Sequence, residues 1–175
     1  MPAEVWDEIA ADAVKESRLW DECLLPAERR ERLPVFSPLG VERHALALET
    51  IYEGYLVHYG RPRLFEPHDE DTALLLGDYL YAHGLVRIAD AHEVSAVADL
   101  SELISLCSQL RAEESEGDGP LWAATAALLG QGLLDDARSA LRLRADPAPL
   151  DTAARAAVGD EAVEQALATH AGRLR

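Results

Sequence analysis

The sequence predicts an all-α fold, a compact helical bundle, on three observations. Apolar residues recur at three- and four-residue spacing through most of the chain. No segment alternates apolar and polar residues convincingly, so no strand is expected. The prolines fall between the periodic segments rather than inside them.

From about Glu4 to Leu25, Val5, Ile9, Ala13, Trp20 and Leu24 share one side, which predicts a first helix. Pro26 suits the first turn of a short charged helix ending near Leu33, because its missing N–H costs nothing there. Pro34 to Pro38 is a connector, with Ser37 placed to cap a long helix running to about His58. Gly60-Arg61-Pro62 ends it, since Pro62 forces Arg61 out of the α region.

His68-Asp69-Glu70-Asp71 opens the next helix. It puts acids where the macrodipole favours them, and reads as a solvated helix start rather than a cation site. That helix ends near Asp90, and another spans roughly Glu93 to Glu113 with Val94, Val97, Ile104, Cys107 and Leu110 in period. Glu113 to Gly119 is an acidic stretch without the ligand order of a calcium loop, and reads as a solvent-exposed hinge. Pro120 to Leu129 and Leu133 to Ala145 are helical, separated by Gly130-Gln131-Gly132. Asp146 to Pro149 is a linker, and the Ala-rich end supplies one or two short helices. The expected organisation is one domain: N-terminal helices over 1–37, a helical core over 38–145 and a C-terminal segment over 146–175.

With 175 residues the chain supports one sizeable core. Its 32 acidic against 16 basic side chains give a formal net charge of −16, which repels nucleic acid and anionic lipid. Cys23 and Cys107 are isolated, which fits neither a zinc site nor a disulfide framework. No basic leader segment and no apolar run of about 20 residues is seen, so a cytoplasmic, non-transmembrane protein is expected. No nucleotide-binding, hydrolase or metalloprotease motif occurs, and no catalytic residue, metal site or cofactor is assigned.

The least ordinary stretch is Ala73 to Ala82, where Gly77 and Asp78 interrupt an apolar helix. Gly there implies close backbone approach, and Asp78 implies a buried carboxylate with a partner. His83 follows Tyr79 by one helical turn, so Asp78, Tyr79 and His83 are candidate pocket residues. Tyr52, Tyr55 and Tyr59 recur on one helix as core or subunit contact.

Three collinear segments resemble the trans-isoprenyl (polyprenyl) diphosphate synthases. Ala45-Leu46-Ala47-Leu48-Glu49 with Ile51, Leu56 and His58 is similar to the helix leading into that family's first aspartate motif, DDxxD. Gly60-Arg61-Pro62 followed by Ala73 to Leu80 is similar to its Gly-x-Pro turn and Gly-Asp helix. Trp122 with Thr125 to Gly130 is similar to its Lys-Thr-Ala-x-Leu segment. The core then resembles the first half of an isoprenoid synthase fold. The departures are chemical: His58 runs directly into Tyr59-Gly60 where the motif belongs, His58-Tyr59 replaces paired arginines, and Ala124 replaces the lysine. An alternative alignment sets Glu49 and Glu53 at the outer aspartates, with Thr50 in the middle. The resemblance implies a degenerate, catalytically silent member acting as the small or regulatory subunit of a heteromeric prenyl synthase. Its contact surface is expected on the Ala45–His58 and Leu74–Leu85 helices. The alternative is a self-associating module holding a lipid or isoprenoid in an apolar cavity, with Glu49, Glu53, His58, Asp78, Tyr79 and His83 as ligand or pocket candidates.

Overall fold

A computed structural model describes residues 4–174, and among them the fold is all-α, as the periodicity predicts. Nine α-helices are present: α1 (Glu4–Glu16), α2 (Arg18–Cys23), α3 (Ala45–Tyr59), α4 (Glu70–Asp90), α5 (Val94–Ala112), α6 (Asp118–Ala127), α7 (Asp135–Arg144), α8 (Ala148–Val158) and α9 (Asp160–Ala171). Single 3₁₀ turns occupy Ala27–Arg29, Ser37–Leu39 and Glu42–His44.

The first helix is broken in two. Ser17 leaves the helical region and its Oγ accepts the Leu19 N–H at 3.1 Å, which caps α2. Past Pro26 only one 3₁₀ turn forms, because the Arg30 guanidinium binds the Leu25 carbonyl at 2.7 Å and the chain then runs extended. Ser37 does not cap the long helix. Its hydroxyl donates to Glu49, and α3 starts eight residues later at Ala45.

α3 is the central element, with residues 45 and 47–57 all buried. α4 crosses it at van der Waals distance because glycines line the crossing. A Cβ on Gly54 would stand 2.9 Å from the Gly77 carbonyl oxygen, and one on Gly77 only 2.3 Å from His58 Nε2. One on Gly84 would stand 2.4 Å from Ile51 Cγ1. A helix pair that close excludes any larger side chain from these positions.

Two apolar clusters flank α3. The larger gathers Phe36, Tyr52, Tyr55, Leu100, Leu103, Trp122 and Leu150, under α5, α6, α8 and α9. The smaller holds Trp6, Ile9, Trp20, Cys23, Phe65, Leu76 and Leu80, under α1 and α2. The segment between α3 and α4 is tied on both sides: Leu24 bridges Phe65, and Gly60 bridges Leu174. The expected hinge is pinned instead. Gly117 takes φ 123°, and Asp118 and Gly119 are buried at the head of α6.

Candidate functional site

Three of the candidate positions meet a guanidinium or a neighbouring helix rather than an open pocket. Glu49 and Glu53 do share a cation, and it is Arg63. Its Nε donates to Glu53 Oε2 at 2.9 Å, and its Nη1 donates to Glu49 Oε2 at 2.5 Å and to the Leu33 carbonyl at 2.9 Å. Glu53 Oε1 also accepts the backbone N–H groups of Arg63 and Leu64 at 2.8 and 2.7 Å. The guanidinium lies between the Trp6 and Tyr52 rings, 4.6 and 5.0 Å from their centroids. Burial opposes its charge, but the two glutamates hold it protonated above its ordinary range. Pro62 fixes the turn that drives Arg63 inward, one helical turn of α3 supplies both carboxylates, and no face of the cluster is left for a metal ion.

His58 fills the space that Gly77 leaves open, and its Nε2 sits 3.3 Å from Asp78 Oδ1. Burial lowers its pKa, and Asp78 partly offsets that. Asp78 is itself an exposed surface residue, contrary to the buried carboxylate expected. The reason is helical geometry: Gly77 faces α3, and the next residue lies about 100° further round.

Tyr79 and His83 form a separate seam against α1 and α2. Tyr79 stacks on Trp20 and on His83, with centroids 5.6 and 5.4 Å apart. His83 Nε2 is 3.2 Å from Asp12 Oδ2, and Arg87 bonds both Asp12 and Glu8. Burial pushes the Tyr79 phenol up to about 12. The candidates therefore occupy three distinct places, and none of these is a shared pocket.

A fourth polar centre escaped sequence reasoning. Asp118, at the start of α6, accepts from the Tyr55 hydroxyl and from Arg111, and lies 3.3 Å from His170 Nε2. The Tyr52 hydroxyl completes the chain, 2.9 Å from His170 Nδ1. Desolvation would raise the Asp118 pKa, yet His170, Tyr55 and Arg111 hold it far below the usual carboxylate range. Desolvation and the same carboxylate push the Tyr55 phenol well above its ordinary value. The arrangement looks like a proton relay, but Asp118 and His170 are buried behind Arg111, under a shallow depression over Tyr59, Ser108 and Ala112. It joins α3, α5, α6 and α9. The rings of Phe36, Tyr52, Tyr55, Trp122 and His170 pack there at 5.0–5.9 Å.

A surface cleft of about 590 Å³ lies beside the Gly60 turn, floored by Leu25, Val57 and Phe65. Its lining sets Glu31, Glu66, Asp69 and Glu70 against Arg29 and Arg61. Arg29 grips both Glu66 oxygens at 3.1 and 3.2 Å, Arg61 bonds the Gly172 carbonyl, and Asp69 caps α4 through the Thr72 N–H at 2.7 Å. A diphosphate needs an excess of cations, and this rim has none.

One large surface is of another kind. Along the outward side of α4, Leu74 and Leu75 are each 55 % exposed and Val86 53 %, with Ala82 and Ala89 between and beyond them. The exposed positions of α5 are likewise uncharged: Val94, at 79 %, Ser95, Ala98, Ser101, Ser105 and Ala112. Asp78 is the single ionisable side chain among the outward positions from 74 to 89. α3, by contrast, spends its apolar side chains inside this chain, so the contact surface expected on Ala45–His58 is not there.

Comparison with known proteins gives no match: no family model, no curated protein and no solved structure matches the chain. No described helix is long and apolar enough to cross a membrane.

Proposed function

We propose that this chain is a non-catalytic helical subunit that works by docking on another protein. The observation that carries the reading is the closure of Glu49 and Glu53 on Arg63. The carboxylates that the alternative alignment sets at the outer aspartates are spent on the chain's own core. The exposed α4–α5 face supports the docking part, since apolar patches of this kind mark protein contacts. The segments between Ala45 and Gly130 that resemble the isoprenyl diphosphate synthases make a catalytic chain of that family the first partner to test. In such a complex this subunit would pack beside the catalytic chain and shape its product-length pocket.

The test is native mass spectrometry on tagged protein purified from its own host, followed by a prenyl-transfer assay. A stoichiometric second chain with intact aspartate motifs, whose product length changes when this subunit is added, is the expected result. Magnesium-dependent prenyl transfer by this chain alone would overturn the reading. Recovery without any second chain would remove the heteromeric part of it.

A further inference from the structure

We propose that the cleft beside the Gly60 turn docks a short basic segment of a partner protein, in which an arginine or lysine stands next to a bulky apolar residue. The cleft shares no residue with the exposed α4–α5 face.

Its charge fixes the sign of the ligand. Four carboxylates line it, against the guanidinium groups of Arg29 and Arg61. Both arginines are engaged, Arg29 by Glu66 and Arg61 by the Gly172 carbonyl. Glu31 is answered by Arg173. Glu70 is exposed and pairs with no described residue. The Thr72 N–H holds the Asp69 carboxyl below the usual carboxylate range, so it stays ionised. The unanswered charge is therefore negative and sits where α4 begins. The formal −16 of the chain steers cations toward it.

A metal ion does not suit that charge. Among the described residues no three His, Cys, Asp or Glu side chains converge as a metal would need. An ammonium or guanidinium does suit it, because it accepts carboxylates one at a time.

The floor then selects what carries the cation. Leu25, Val57, Phe65 and Ala73 give it an apolar base. An arginine or lysine lays its aliphatic stem on such a base and keeps its head at the carboxylates. A neighbouring leucine or phenylalanine covers what the stem leaves, which the thin, charged chain of a polyamine cannot do. At about 590 Å³ the cleft has the volume of a ligand pocket, and it is open to solvent, so a segment can enter and leave it. The bridges from Leu24 to Phe65 and from Gly60 to Leu174 fix its walls before anything binds, which lowers the ordering cost.

The experiment probes the full chain with an array of hexapeptides holding two Arg or Lys and two Leu or Phe in every order. Control arrays replace the basic residues by Glu or the apolar ones by Ser. The best binder is then measured by fluorescence anisotropy against wild type and Asp69→Asn/Glu70→Gln. Asn keeps the cap of α4, so the variant should melt with the wild type. Basic–apolar peptides should bind, less tightly as salt rises. The variant should bind about tenfold more weakly. Serine in place of the apolar residues should also weaken binding about tenfold, and spermine should not displace the peptide. No binding above the Glu array, or binding indifferent to Asp69→Asn/Glu70→Gln, overturns the proposal. Equal binding by the Ser array, or displacement by spermine, also overturns it, since the floor then plays no part. Each of these failures leaves docking through the α4–α5 face standing.

Discussion

Arg63 shows how one residue decides what two others can do. Glu49 and Glu53 have the spacing of a cation site, and the spacing is satisfied from within. Removing the cation strands two buried carboxylates, so Arg63→Met should cost about 3–5 kcal/mol or abolish folding. Glu53→Gln, which keeps the acceptor for the Arg63 and Leu64 N–H groups, should cost less. Urea unfolding of both variants orders them, and the reverse order would refute this account. Gly54 is the second case. Its Cβ would press on the Gly77 carbonyl and on the Leu80 and Tyr81 side chains, so Gly54→Ala should destabilise by about 1–3 kcal/mol despite the better helix propensity of Ala. An unchanged Tm would show that the α3–α4 crossing has slack.

At the scale of elements, existence was far more legible than role. The long helices announce themselves by period, and α4 starts and ends where its acidic cap and Asp90 place it. The break at Ser17 carries a local signal, a capping residue inside a helical pattern. Nothing local marks Arg63 or His170, because their partners lie in segments separated by turns and whole helices. Asp118 is hidden for the same reason. An acidic stretch with glycine resembles an open hinge until α9 closes over it. Its consequence is testable by pH. The folded pKa of Asp118 is depressed, so it adds stability above the ordinary carboxylate range and loses it as pH falls through its folded value. Asp118→Asn should therefore lower Tm at pH 7 and flatten the acid side of the Tm-against-pH curve, read by circular dichroism. An acid limb as steep as that of the wild type would assign the sensitivity to other carboxylates.

At the scale of the molecule, the charges are arranged rather than scattered. Internal cations face inward to carboxylates: Arg63 to Glu49 and Glu53, Arg111 to Asp118, Arg138 to Asp99. The acidic surplus is left for solvent, apart from one neutral side. This distribution gives a magnesium test of the whole reading. If Glu49 and Glu53 are closed on Arg63, millimolar Mg²⁺ should leave Tm where it was, since a ligand stabilises only what it binds. A concentration-dependent rise in differential scanning fluorimetry that Glu49→Gln removes would reopen those carboxylates as a metal site.

The tie between the end of α9 and the Gly60 turn has a consequence for how the protein is made. His170 bonds Tyr52 across 118 residues, and Arg173 reaches Glu31 across 142. On the ribosome, α1 to α4 emerge with their own small core and their glycine-lined crossing, so that half can settle early. The aromatic interior cannot, because the imidazole that organises Tyr52 and Asp118 is synthesised well over a hundred residues after the first of them. Until then Tyr52 and Tyr55 lack the imidazole that covers them. That interval, rather than the finished fold, is when this chain most needs a chaperone.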